Sequence, residues 1–432
     1  MPSSVDSEFS SGGAPGEEWD PRLLWKLWAG AFLLRAVGVL IAGLLIGDYL
    51  IANDTRAFYL PLGRSLAAGT GYQVMDSFYV PSRIAPLFPV FLAGLIRLCG
   101  GEPSVLVIGL FHAALRSAGA VALFLTARRH LGPRAAAAGF GLYLLDPWEF
   151  LWTPYVLKES LAVPLFLGAV LALSHLDRTR TDRTALLLGA AIGIATLARF
   201  ASGALLLVAL CWLFFPGGAS RATPPARRRM LAVCLLLGML LALSPWLIRN
   251  WRVTGYPVLS TEFVGRYLYT SNGPGKQIET AGYADAKGLD FQPIKDFGLE
   301  APVAQSESKL GSLALKHLIT HPWELPLRFG GKLINMWRPT FGSFSLRNLV
   351  VLAIPYVVLM GLSLAGLVLA RRERIPSAPL WLPIVVLCGI HLLFWAEIRN
   401  RQYLTPLFYA FGGLAVVRIA DGVRERRRSD TA

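Results

Sequence analysis

"LSPWLIRNWRVTGYPV", residues 243 to 258, closes a long apolar run with a proline and a tryptophan, and then sets Arg249, Asn250 and Arg252 almost side by side. The run it ends, about 229 to 248, supplies the roughly 20 apolar residues a helix needs to cross about 30 Å of hydrocarbon. Comparable stretches fall at about 27–47, 104–127, 135–153, 160–176, 184–199, 201–216, 348–370, 379–397 and 403–420. With 54% hydrophobic residues in 432 and a mean hydropathy of +0.50, the apolar content exceeds what a soluble core uses. The chain reads as an all-α polytopic membrane protein, a bundle of about ten transmembrane helices.

The formal net charge of +15 does not point to nucleic acid, because the basic residues fall in short tracts between apolar runs, the pattern of topology signals. "RRHLGPR" (128–134), "DRTRTDR" (177–183), "RATPPARRR" (221–229), "RRER" (371–374) and "RERRR" (424–428) are expected on the cytoplasmic side. Both termini then lie inside, and 48–102, 152–160, 249–347 and 397–401 lie outside. The apolar stretch 84–100 would break this parity as a full span. It is short, carries Pro86 and Arg97, and is read as a re-entrant or interfacial helix. Residues 1–22, polar, acidic and rich in Ser, Gly and Pro, are expected to form a disordered cytoplasmic tail rather than a signal peptide. A membrane module at 23–248 follows, with its first outer loop at 48–102. The long outer loop 249–347 mixes Leu315, Leu318, Leu325 and Leu327 with Lys316, His317, His321 and Arg328, which suits helices in the headgroup plane. Residues 348–432 complete the chain with further spans and a basic tail. The four cysteines have neither zinc nor disulfide spacing.

Because an ionisable group costs about 2.5 to 3.5 kcal/mol or more at a helix centre in the bilayer, each charge near hydrocarbon calls for a partner. Arg35, Arg97 and Arg116 are read as pairing or snorkelling within the bundle. Asp54, just beyond the first span, is either a helix cap or a carboxylate held at the membrane surface to accept a proton. Glu159, in "WTPYVLKES", is the second acid on that side; its plainer readings are a pair with Lys158 or a helix N-terminal preference. Basic groups gather on the same side: Arg83, Arg199, Arg249, Arg252, Lys332, Arg399 and Arg401. They oppose the positive-inside trend and so point to an anionic partner. The guanidinium fork suits phosphate.

Taken together, "NDTRAFYLPLGRSLAAGTGY", "RIAPLFPVFLA", "YVLKES", "GIATLARF", "SPWLIRNW" and "RNRQYLTP", in that order across residues 25 to 420, resemble the GT-C superfamily of polyprenyl-phosphate-dependent glycosyltransferases. The branch they are similar to holds the protein O-mannosyltransferases and the aminoarabinose transferases that modify lipid A. The resemblance implies a GT-C-like bundle with extracytoplasmic juxtamembrane helices. It also implies a hexosyl or pentosyl transferase in a bacterial plasma membrane, moving a sugar on the extracytoplasmic face from a polyprenyl-phosphate donor to a glycan, lipid or protein acceptor, with no separate cofactor. Carried over residue by residue, it makes Asp54 the catalytic acid/base and Glu159 a supporting carboxylate. Arg83 stands where the family has a lysine on the lipid phosphate. Arg249, Arg399 and Arg401 become phosphate or donor contacts, and Arg56, Tyr59, Arg199, Asn250 and Lys332 complete the substrate-binding set. There are departures. Thr55 follows Asp54 where the branch shows paired acids, and no DxD motif stands here to imply a metal. No C-terminal soluble domain like that of some relatives is expected, which leaves acceptor binding to the 249–347 loop. A transporter or flippase of a lipid-linked sugar is the alternative from another class; it would want ionisable groups at the midplane and two similar halves. A non-catalytic scaffold is a third.

Overall fold

In hydrocarbon each backbone N–H and C=O must find its partner inside the protein, which leaves the helix as the economical solution for an open chain. The computed structural model describes residues 20–73, 84–214, 223–260, 264–274, 303–340, 345–394 and 396–430, and nearly all of them are helical. In chain order the helices are α1 (Pro21–Ile46), α2 (Leu60–Ala67), α3 (Leu87–Leu98), α4 (Val105–Leu131), α5 (Pro133–Leu144), α6 (Pro147–Trp152), α7 (Glu159–Thr179) and α8 (Asp182–Ala198). They continue with α9 (Leu205–Phe214), α10 (Pro225–Thr254), α11 (Val264–Asn272), α12 (Val303–Thr320), α13 (Leu325–Trp337), α14 (Leu346–Arg372), α15 (Ala378–Leu393) and α16 (Thr405–Asp430). Of these, α1, α4, α7, α10, α14 and α16 are long and apolar enough to cross a membrane; α3, α15 and the segment Phe200–Phe214 are apolar but shorter.

Two expected spans are corrected. The stretch 135–153 is two helices, not one, because Pro147 has no N–H to continue α5 and Asp146 accepts from the Trp148 N–H at 3.0 Å as the cap of α6. The expected span 379–397 stops at Leu393. The stretch 84–100, expected as a re-entrant or interfacial helix, yields α3 of 12 residues, about 18 Å long and too short to cross unaided. The tail 1–19 and Arg83 lie outside the described residues.

The helices pack as neighbours in a bundle, α8 along α10, α4 against α1, α5 and α7, and α16 against α5 and α14. The α8–α10 contact is close because both helices present glycine: a Cβ on Gly238 would stand 2.0 Å from the Leu186 carbonyl oxygen, and one on Gly189 would stand 2.0 Å from that of Leu235.

The two ends of the bundle differ in chemistry. At one end the basic tracts are tied to one another and to acids: Arg134 to Asp421 at 2.6 Å, Arg418 to Glu373 at 2.6 Å, Arg227 to Asp182 at 2.8 Å, and His130 to the Pro376 carbonyl at 3.0 Å. At the other end stand the start of α7, the end of α8 and the helices of the long loop. Of those, α11 packs on α12, with the Gly265 N–H donating to Glu307 Oε2 at 2.7 Å. Helix α13 is fastened to the end of α15 and to the turn Ile398–Tyr403, where Asn335 Nδ2 donates to the Ala396 carbonyl at 2.7 Å.

Gly238→Val should lower the midpoint of thermal unfolding in detergent, by an overpacking cost of about 1 to 3 kcal/mol. Gly168→Ala, inside α7 where an added Cβ meets nothing within 4 Å, should not lower that midpoint.

Candidate functional site

The site begins where α1 stops. Residues Gly47–Leu50 form a 3₁₀ turn, Ile51 pairs in parallel with Val156, and the Val156 N–H donates to the Leu50 carbonyl at 2.9 Å. Thr55, fully buried, adds a 2.6 Å hydrogen bond from Oγ1 to the Val156 carbonyl. These bonds pin the first outer segment to the strand-like entry of α7, so that Asp54 and Tyr59 meet Lys158 and Glu159. Thr55, which stands where a second acid could follow Asp54, thus anchors the segment through Val156.

Around this seam lies a cavity of about 790 Å³. Its polar wall carries Asp54, Tyr59, Lys158, Glu159, Arg199, Glu397, Arg399 and Asn400. Its apolar wall runs from Phe58, Ile84 and Ala85 to Leu206 and Leu207 of α9, Ile390 of α15 and Phe394, with Val264 and Tyr267 of α11 beside them. A volume of this size takes a headgroup together with part of an acyl or prenyl chain.

Arginine forks organise the acids. Arg399 Nη1 donates to Asp54 Oδ2 at 2.9 Å and its Nε to Glu397 Oε2 at 2.7 Å. Arg199, the residue that ends α8, donates to Glu159 Oε1 at 2.9 Å and to the Asn400 side-chain oxygen, and stacks 4.9 Å over the Tyr403 ring. Asp54 begins the helical turn Thr55–Tyr59 but makes no side-chain cap bond. Its carboxylate faces Arg399 instead, so the cap reading of that residue does not hold. Burial pushes the Asp54 carboxyl up, but Arg399 and Lys158 outweigh it and hold it below the usual carboxylate range. Arg399 is in turn held above its ordinary value: burial opposes its charge, and Glu397, Glu159 and Asp54 more than compensate. Glu159 pairs with Arg199, not with the adjacent Lys158.

Behind the cavity a fully buried guanidinium fixes both walls. Arg116 of α4 donates from Nη1 to Glu149 Oε1 at 2.8 Å, from Nε to Ser160 Oγ at 3.2 Å, and from Nη2 to Gln402 Oε1 at 2.5 Å. Ser160 follows Glu159, and Gln402 shares the Ile398–Tyr403 turn with Arg399 and Asn400. Arg35, 3.6 Å from Glu149 Oε2, adds a second cation to the same acid.

Of the residues singled out from sequence, Asp54, Tyr59, Glu159, Arg199 and Arg399 line the cavity, and four others do not reach it. Arg56 turns back onto the carbonyls of Ile51 and Asp48. Asn250 is buried and donates to the Val258 carbonyl at 2.7 Å, closing the turn after α10. Lys332 is buried on Asn272 Oδ1 at 2.7 Å and the Leu392 carbonyl at 2.9 Å. Arg401 lies between the rings of Trp148 and Tyr356, 4.5 and 4.0 Å from their centroids, and donates to the Arg338 carbonyl. Each is held by protein groups because its segment turns it away from the seam. Arg249 stands beside the cavity: it spans the rings of Tyr72 and Trp246 and donates to the Tyr72 carbonyl at 3.1 Å, while the Tyr72 hydroxyl donates to that of Ile84. Lys158, Glu397 and Asn400 were not selected from sequence, although "YVLKES" and "EIRNR" contain them. Among the described residues no three His, Cys, Asp or Glu side chains converge as metal ligands would.

Arg116→Met, which leaves Glu149 buried with only the more distant Arg35, should lower stability in detergent by about 3 kcal/mol. Adding Glu149→Leu should recover part of that loss in the same unfolding assay.

Residues 83–249 match the family described as dolichyl-phosphate-mannose-protein mannosyltransferase. That region holds Glu159, Arg199 and Arg249 but neither Asp54 nor Arg399. The fold is shared with the oligosaccharyltransferase AglB of Archaeoglobus fulgidus, solved with an inhibitory peptide and a dolichol-phosphate, at a TM-score of 0.53 and 12% identity over 94% of this chain and 51% of that one. The apo form of an oligosaccharyltransferase from the same organism gives 0.54 and 12% over 95% and 52%. ArnT of Cupriavidus metallidurans, bound to undecaprenyl phosphate, gives 0.43 and 18% over 91% and 79%. The chain thus spans about half the length of the oligosaccharyltransferases it matches. No curated protein matches its sequence.

Proposed function

We propose that this chain, which has the fold of the GT-C superfamily of membrane glycosyltransferases, moves a sugar from a polyprenyl-phosphate donor to an acceptor hydroxyl or amine. The observation that carries this reading is one cavity in which a carboxylate held ionised by arginine, and a set of cations, border an apolar wall leading along α9 and α15. Such a wall suits a prenyl chain and such a rim suits its phosphate.

In the proposed reaction the acceptor oxygen or nitrogen attacks the anomeric carbon, and the bond from that carbon to the phosphate oxygen breaks. The acceptor's proton passes to Asp54. The donor phosphate carries one negative charge as a diester and leaves with two, so cations around it stabilise the transition state more than the ground state. Arg399 keeps Asp54 oriented and ionised, and Arg199 does the same for Glu159.

The basic tracts, gathered at the end opposite the cavity, support placing the cavity on the extracytoplasmic side of a plasma membrane. The helices of 249–347, which border the cavity through Val264 and Tyr267, are the surface offered to the acceptor. On this reading the acceptor is a glycan, lipid or protein of a bacterial envelope.

Purified protein in nanodiscs, given radiolabelled polyprenyl-phosphate sugars and membrane extract, should transfer label. Asp54→Asn should lower turnover by about 10²- to 10⁴-fold without altering insertion or unfolding temperature. Label that stays on the lipid for every donor would point to transport instead. Because Asp54 is held below 3.8, its usual carboxylate value, the wild-type rate should stay level on the acid side down to about pH 5. Arg399→Leu removes the chief group holding it down, so the acid limb of the pH–rate profile should move to higher pH.

A further inference from the structure

Lys158 lines the same cavity as the two arginines, yet it differs from them in what it touches. Arg199 and Arg399 each have a fork on a carboxylate, and withdrawing either would leave a partly buried acid uncompensated. The Lys158 ammonium donates to the Tyr59 hydroxyl oxygen at 2.7 Å and lies 5.2 Å from that ring's centroid. A neutral phenol takes one of its three hydrogens without cancelling its charge. The phenol is itself fixed in place, since Tyr59 is only 7% exposed and its ring sits edge-on against Phe88 at 5.3 Å. With the ammonium on its oxygen, the Tyr59 hydroxyl keeps its own hydrogen for another acceptor.

Resting on the transfer reading above, we infer that Lys158 and Tyr59 act as a pair on the leaving group: the ammonium supplies charge, and the phenol a hydrogen bond, to the phosphate oxygen that parts from the sugar. When the bond from the anomeric carbon breaks, its electron pair stays on that oxygen. Neither Lys158 nor Tyr59 surrenders a proton, because a phosphate monoester with a second pKa of about 6 departs as the dianion at neutral pH. Burial alone would weaken the ammonium, but Tyr59 and Glu159 raise its proton affinity above the ordinary lysine range, which keeps it charged. Lys158 thereby becomes a catalytic residue in its own right, beside Asp54, and Tyr59 the donor it polarises.

The test measures binding of undecaprenyl phosphate and of undecaprenol to the purified full chain in nanodiscs, alongside turnover. Wild type should prefer the phosphate. Lys158→Met should weaken phosphate binding by roughly 10- to 100-fold and leave the alcohol unchanged. Lys158→Arg, which keeps the charge, should retain most of the preference, and Tyr59→Phe should lower kcat by about tenfold with a smaller change in binding. If Lys158→Met yields no folded protein, Lys158→Gln, which still reaches Tyr59 without charge, is held to the same expectation. An unchanged preference in the neutral variant, or an equal loss for both lipids, overturns the inference while leaving the transfer reading intact. A wild type that neither distinguishes the two lipids nor transfers sugar overturns the transfer reading itself, and the inference with it.

Discussion

Arg116 is fully buried in the middle of a helix that crosses the bundle, and a guanidinium there is tolerable only where its donors are met. They are met by three segments: Glu149 of α6, Ser160 of α7 and, 286 positions along the chain from Arg116, Gln402 of the turn before α16. The two walls of the cavity hang from the latter two. If Arg116 did not draw the α7 start and the 398–403 turn to the same point, Glu159 and Arg399 would have no fixed distance between them. The Asp54–Arg399 bond, which joins residues 345 positions apart, depends on this.

A second seam adds to that hub. The Leu50–Val156 and Thr55–Val156 bonds bring the segment after α1 onto the entry of α7. With both seams in place, Asp54, Glu159 and Glu397 stand among Lys158, Arg199 and Arg399, opposite charges in equal number. Such a balance lets six ionisable groups share one cavity next to hydrocarbon without a large desolvation cost. It also leaves the groups differently committed. The arginines are engaged with acids, whereas the lysine rests on a phenol, and that asymmetry separates groups that orient the site from groups open to an anion.

Sequence reasoning found the six long spans because apolar length is set by bilayer thickness, a property each segment carries alone. It found Asp54, Tyr59, Glu159, Arg199 and Arg399 because an ionisable residue at the end of an apolar run needs a reason. The same reasoning could not separate these from Arg56, Lys332 and Arg401, which meet the identical criterion, or from the polar Asn250 beside Arg249. Those four answer their charge or polarity with carbonyls, an amide or aromatic faces, and such partners leave no mark in composition. The break at Asp146–Pro147 was legible as a cap and a proline, yet the hydropathy of the surrounding residues masked it.

What the sequence determined by itself is the material: helices of membrane length, basic tracts on one side, and acids with arginines on the other. These follow from transfer energies of single segments. Only the tertiary structure decided which acid meets which cation, that Thr55 is an anchor, and that Lys158 belongs to the site. The reason is physical: a buried charge is assigned its partner by packing across the bundle, between residues that the linear order keeps as much as 345 positions apart.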